Sequence, residues 1–165
     1  MTGDKPDERI RTPMPWTGKL PAAGFTSGTP WEPVGDGAEA ANVASETSDP
    51  DSVLAAYRDL IAVRTLYPSL GGAETVIIPS SESGVYAVLR HLGDETTLVL
   101  VNFGLKVESP SFDLSVAPCV SSGMHAEAVW GQEQVAQVTD PAAYVPVKTL
   151  APYEISIIKL GATGP

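Results

Sequence analysis

Few residues in this 165-residue sequence combine the types and spacing that chemistry demands. Two pairs of neighbouring acids stand out, Asp7-Glu8 and Asp94-Glu95. Paired carboxylates can act as acid and base on either side of one bond. Neighbours on a strand, however, point to opposite faces, so these pairs are expected to be solvated turn charges. The histidines are His91 and His125, too few for a multi-histidine metal centre. His91 is expected in a hairpin and His125 in a loop. Cys119 is the lone cysteine, which excludes an intrachain disulfide and a cysteine-rich zinc site and mildly favours a reducing compartment. It follows Pro118 with no base near it in sequence, so no catalytic thiol is expected. Trp130-Gly131 reads as a core or edge aromatic. No metal site and no cofactor is expected.

Net charge is −10, with 10 basic and 20 acidic residues. That balance excludes nucleic-acid binding through phosphate contacts and disfavours anionic membranes. The longest apolar run, Leu98-Val99-Leu100-Val101, is far short of the ~20 residues that span a bilayer. The opening Met1-Thr2-Gly3-Asp4-Lys5-Pro6 has no apolar segment of the signal-peptide kind, so a cytoplasmic location is expected. With 43% hydrophobic residues the chain can bury a core.

Three parts must position whatever chemistry exists. Residues 1–48 are rich in proline (Pro6, Pro13, Pro15, Pro21, Pro30, Pro33) yet hold Trp16, Phe25 and Trp31. A disordered tail would lack such bulk, so the expectation is a long ordered loop whose aromatics pack. Residues 49–67 read as a helix, with Asp49 as N-cap and Pro50 in the first turn. Val53, Leu54, Tyr57, Leu60 and Ile61 form its apolar stripe. Residues 73–160 read as strands near 75–78, 85–90, 96–103, 110–116, 126–130, 144–150 and 153–157, the second and third joined around 91–95. The fold class expected is mainly β: an antiparallel Greek-key β-sandwich preceded by one helix and a long ordered loop. In residues 153–160, Ile158 and Leu160 break the parity of Tyr153, Ile155 and Ile157, which implies a bulge or an end covered on both sides.

Certain blocks carry a resemblance. Arg11-Thr12-Pro13-Met14-Pro15-Trp16, Ala23-Gly24-Phe25-Thr26 and Pro30-Trp31-Glu32-Pro33-Val34 resemble the signature after the eighth barrel strand of the alpha-amylase superfamily. The branch they are most similar to is that of alpha-glucosidases, oligo-1,6-glucosidases and trehalose synthases. Asn42-Val43 fits the same signature, residues 49–64 are similar to the last barrel helix, and Val99-Leu100-Val101-Asn102-Phe103 and Leu150-Ala151-Pro152-Tyr153-Glu154 resemble strands of the C-terminal sandwich. The resemblance implies the C-terminal portion of a glycoside hydrolase: residues 1–48 the loop after strand eight, 49–72 the last barrel helix and linker, 73–165 the sandwich. Met1-Thr2-Gly3 would then correspond to internal sequence.

The same resemblance says what is missing. Family members are retaining enzymes, which need two carboxyl groups about 5–5.5 Å apart. Their three catalytic acids follow strands four, five and seven, ahead of the region matched here. Neither an N-H-D nor a G-x-R-x-D motif occurs, and no D-x-D-x-D-G calcium loop is present. No catalytic residue is therefore assigned, and the chain alone is expected to lack hydrolase activity. Arg11, Trp16 and Trp31 are implied at the rim of the sugar site, with Trp16 and Trp31 as buried loop anchors and Arg11 as a loop-holding cation in the structural alternative. Pro15 stands where the family commonly has Gln, which removes an amide and a backbone N–H. The implied partners are the catalytic barrel and, through it, an alpha-glucan or oligosaccharide. The expected role is to stabilise the barrel; a carbohydrate-binding module is the alternative. An apolar helix stripe without its barrel would favour a homo-oligomer.

Overall fold

The computed structural model describes residues 11–72 and 74–161. Asp7-Glu8 and Met1-Thr2-Gly3 lie outside them. The chain divides into two compact units, residues 1–61 and 62–165.

The first unit is mostly irregular backbone held by its own hydrogen bonds. The N–H groups of Trp16 and Thr17 both donate to the Ala23 carbonyl, at 2.8 and 2.9 Å. Val43 N–H donates to Pro15 O at 3.0 Å and Ala44 N–H to Trp16 O at 3.1 Å. Three stretches distant in sequence are thereby tied together, so the loop is ordered as expected. Its aromatics do not do the tying: Trp16, Phe25 and Trp31 are all exposed. A short helix α1 (Val43–Thr47) sits where only loop was expected. Buried Asn42 caps it, accepting from Ser45 N–H at 3.0 Å while Ser45 Oγ accepts from Asn42 N–H at 3.2 Å. This reciprocal pair is a capping box with Ser in the usual Glu position.

Helix α2 (Val53–Leu66) is the expected amphipathic helix, started later than Asp49. Ser52 supplies the cap: its Oγ accepts from Ala55 N–H at 3.1 Å and donates to Glu46 O at 2.8 Å. Asp49 instead closes the preceding turn, accepting from Asp51 N–H at 2.9 Å. After α2 the one-turn helix α3 (Ser69–Gly72) leads to the sheet.

The second unit is built on one antiparallel sheet of β1 (Glu74–Ile77), β2 (Val85–Leu92), β3 (Glu95–Asn102), β4 (His125–Trp130) and β5 (Ile155–Gly161), in the order β1-β2-β3-β5-β4. A mainly β, antiparallel fold was expected and is present. The turn between β2 and β3 is tighter than expected: Leu92 pairs with Glu95 across Gly93-Asp94, with Gly93 at φ +60°.

The expected strands at 110–116 and 144–150 contract to isolated bridges, Ser80 with Phe112, Phe112 with Tyr144, and Glu108 with Leu150. Proline is the physical reason. Pro110, Pro118, Pro141 and Pro146 cannot donate to a ladder. Asp113 and Asp140 also start 3-10 turns, each accepting at 3.0 Å from the N–H two residues on. Buried Phe112, Leu114, Val138, Tyr144, Val147 and Leu150 from this irregular layer nonetheless meet Leu89, Leu98, Leu100, Ile158 and Leu160 of the sheet in one core.

Strand β5 is covered on both sides, since Ile157 and Ile158 point to opposite faces and both are buried. The irregularity lies in β4 instead, between Ala128 and Trp130. Beyond it, the side-chain amide of Gln137 clasps the outer edge of β4, accepting from Ala126 N–H at 2.9 Å and donating to Ala126 O at 3.1 Å.

Candidate functional site

The loop of the first unit holds Arg11, Trp16 and Trp31. All three are exposed; the Trp16 ring is 51% and the Trp31 ring 61% accessible. Within this chain the tryptophans are therefore not buried anchors. Trp16 is fixed at its backbone, through Ala23 and Ala44, which leaves its ring free to present a face. Pro15 has no N–H, and its carbonyl serves to anchor α1. The structure gives these residues one ordered loop and no ring contact between Trp16 and Trp31 among the described residues.

A groove of about 350 Å³ lies beside this loop, lined by Met14, Pro15, Val43, Val53, Leu54 and Tyr57. Its wall continues along α2, where Val53, Tyr57 and Ile61 form an i, i+4, i+8 row that is 67%, 66% and 61% exposed. An amphipathic helix normally buries this face. No residue of α2 is buried.

In the second unit the sheet brings Glu74, His91 and Cys119 to a cavity of about 280 Å³. His91 and Glu74 line this cavity with Cys119, while the side chain that bonds the thiol is Thr96. Pairing parity places the strand residues: Glu74 is opposite His91, and His91 opposite Thr96. His91 Nδ1 and Thr96 Oγ1 share a hydrogen bond of 2.9 Å. Burial pushes the Cys119 thiol above its ordinary pKa, outweighing the bonds from backbone and Thr96 that would lower it. A thiol held protonated in this way is a poor nucleophile. His125 is exposed at the start of the edge strand β4, and half-buried Trp130 ends that strand, an edge aromatic as expected. No group of three or more metal-ligating side chains occurs among the described residues.

The face of the sheet turned away from the core is the most unusual surface of this unit. The register sets three rows across it. Ile77, Val88, Val99 and Ile157 form one; Tyr86, Val101 and Ile155 form the next; Thr75, Arg90, Thr97 and Lys159 form the third. In the polar row Thr97 is buried, Arg90 and Lys159 are half-buried and Thr75 is exposed. Ser69 Oγ and buried Thr97 Oγ1 share a 2.9 Å hydrogen bond, Arg90 Nη2 donates to Gly71 O at 3.3 Å, and Lys159 Nζ lies 5.9 Å from the Tyr67 ring centre. Of the apolar rows, Ile77 and Tyr86 are exposed, Val88, Val99, Val101 and Ile155 are half-buried, and Ile157 is buried. Exposed Phe103 continues this surface, its ring 6.4 Å from that of Tyr86.

Comparison with known proteins gives these surfaces a context. A family model described as the alpha-amylase catalytic domain matches residues 1–71. An oligo-1,6-glucosidase of Parageobacillus thermoglucosidasius is 36% identical over 107 residues, 65% of this chain and 18% of that protein. The chain belongs to the alpha-amylase family. A glucan 1,6-alpha-glucosidase of Streptococcus dysgalactiae subsp. equisimilis is 29% identical over 154 residues, covering 93% of this family member and 26% of the relative. Among solved structures, the trehalulose synthase of Pseudomonas mesoacidophila MX-45 superposes with a TM-score of 0.69 at 34% identity, over 91% of this chain and 25% of that one. The trehalose-6-phosphate hydrolase of Bacillus licheniformis gives 0.69 at 28% identity, over 95% and 27%. This alpha-amylase family chain thus spans about a quarter or less of the relatives it matches. No helix among its described residues is long and apolar enough to cross a membrane.

Proposed function

We propose that this chain is the non-catalytic C-terminal part of an alpha-glucosidase-like glycoside hydrolase, and that its sheet is a seat for the catalytic barrel. In this reading residues 1–48 are the loop after the eighth barrel strand, 49–72 the last barrel helix and linker, and 73–165 the C-terminal β domain. The observation that carries it is the outer face of the sheet. Its polar row is contacted by residues 67–71, which fall inside the match to the catalytic domain. The neighbouring apolar rows, buried Ile157 apart, offer half-buried and exposed Val, Ile and Tyr side chains to the same side. Burying such side chains stabilises by about 1.5–3 kcal/mol each when complete. The open Val53, Tyr57, Ile61 row of α2 asks for cover of the same kind.

Arg11, Trp16 and Trp31 are then rim residues of the barrel's sugar site, the guanidinium donating to hydroxyls and the indoles offering apolar faces to sugar rings. The bond cleaved in the whole protein is alpha-glucosidic, and its acids lie outside this chain. Two measurements test the reading. Purified chain incubated with p-nitrophenyl alpha-glucoside is expected to release no nitrophenol; turnover that survives repurification refutes it. In the protein encoded with its upstream reading frame, Val101→Asp on the outer face is expected to lower the temperature of inactivation and leave kcat unchanged. An unchanged inactivation temperature would refute the seat.

A further inference from the structure

A cavity of about 560 Å³ in the second unit belongs to none of these surfaces. It lies between the irregular stretches 132–136 and 145–149, which are joined by Ala136 N–H donating to Pro146 O at 2.8 Å. Its polar lining is Gln132, Gln134, Lys148 and Thr149, and its apolar lining includes half-buried Val135 and exposed Val145. The geometry points to a binding site for a neutral polyhydroxylated ligand with one apolar face, of which a pyranose sugar is the type.

The lining chemistry selects that class by exclusion. In a chain with twenty acidic residues, no carboxylate lines this cavity, which argues against a cation. One ammonium, Lys148, within a net charge of −10 is too little to hold an anion. Two carboxamides and a hydroxyl make it costly for a purely apolar guest, which would leave them unpaired. A sugar ring satisfies both halves, placing C–H groups on Val135 and Val145 and hydroxyls on the amides.

Gln132 is pre-set for this. Its Nε2 donates to Thr149 O at 2.5 Å and to Glu154 Oε1 at 2.9 Å, so both N–H bonds are spent and the amide oxygen is left as an acceptor. Glu154 is held in turn by accepting from Ala151 N–H at 2.6 Å. The preceding Gly131, at φ +87°, lets the chain approach β5 so closely that a Cβ there would collide with the Ile155 carbonyl. That approach fixes where Gln132 begins. Gln134 and Lys148 are exposed and adaptable.

The test is a proton–nitrogen correlation titration of the isotope-labelled chain with maltotriose. Saturable shifts are expected at the side-chain amides of Gln132 and Gln134 and the backbone amides of Val147 and Thr149. The double variant Gln134→Ala with Lys148→Ala, both at exposed positions, is expected to weaken binding about tenfold while its spectrum elsewhere stays unchanged. Three results would overturn the assignment: no shifts up to the solubility limit, shifts confined to the Trp16 and Trp31 indoles, or the same amides responding to inorganic phosphate and not to maltotriose. None of these outcomes bears on the seat, which uses the outer face of the sheet.

Discussion

Replacing Asn102 by alanine is expected to destabilise the β domain by removing a buried hydrogen-bonding hub. Its side chain is fully buried. Nδ2 donates to Lys106 O at 2.8 Å and to Leu150 O and Ala151 O at 3.0 Å each, while Oδ1 accepts from Gly104 N–H at 2.8 Å. One amide thus pins the loop after β3 to the segment before β5. In Asn102→Ala, Leu150 O keeps a partner, because Glu108 N–H also donates to it at 3.0 Å. Ala151 O likewise keeps one, since Glu154 N–H donates to it at 3.1 Å. Lys106 O and Gly104 N–H lose theirs. At about 1 kcal/mol for each, the sum is about 2 kcal/mol. A urea titration followed by far-ultraviolet circular dichroism reads this directly. With a slope of roughly 1–3 kcal/mol per M, the midpoint should fall by about 0.7–2 M. Asn102→Asp should fare no better, since it keeps the acceptor for Gly104 but turns a carboxylate toward three carbonyl oxygens. A midpoint shift below about 0.3 M for the alanine variant, well under one hydrogen bond, would refute the reasoning.

Other perturbations follow from the same geometry. Gly131→Ala should destabilise the β domain by about 2 kcal/mol or more in the same titration, because φ +87° and the Ile155 carbonyl both oppose a side chain. Ser52→Ala should cost about 1 kcal/mol and reduce the helical dichroism of α2, whose cap it removes. Burial raises the Tyr144 phenol above its ordinary pKa near 10. The unfolded chain then loses that proton first as the solution becomes alkaline, so this contribution to stability is complete below pH 10 and is lost as pH rises beyond it. Tyr144→Phe should flatten the alkaline decline in thermal midpoint, while losing the 2.6 Å bond to Ala136 O. Finally, Cys119 should react with a disulfide reagent at pH 8 more slowly than free cysteine, since its thiol is held protonated.

Much of this was legible in the residues. The helix stripe of α2 and the continuous apolar run of β3 follow from periodicity alone, although Val99 and Val101 of that run lie half-buried on the outer face. The irregular layer was misread because Phe112, Leu114, Tyr144, Val147 and Leu150 carry strand-like bulk; their burial is real, but the neighbouring prolines deny them a ladder. Helix α1 was overlooked, although Asn42 and Ser45 have the spacing of a capping box. For the loop, composition announced order and gave the wrong cause. Trp16 and Trp31 suggested packing, whereas the backbone bonds to Ala23 and from Val43 and Ala44 do the holding, and no side-chain pattern announces those. The cavity near Cys119 was hidden because strand register brings Glu74 opposite His91 and a distant loop carries Cys119 to the same place.

The Gln137 clasp has a consequence for how this protein behaves at high concentration. A sheet margin with open amides and carbonyls invites another chain to add itself there. At β4 the middle of that margin is already occupied, since a side chain imitates the hydrogen bonds a newcomer would offer to Ala126. Ribbon-like growth from this side is thereby obstructed by a group that adds no strand of its own, and any accretion of copies is steered to the opposite margin at β1.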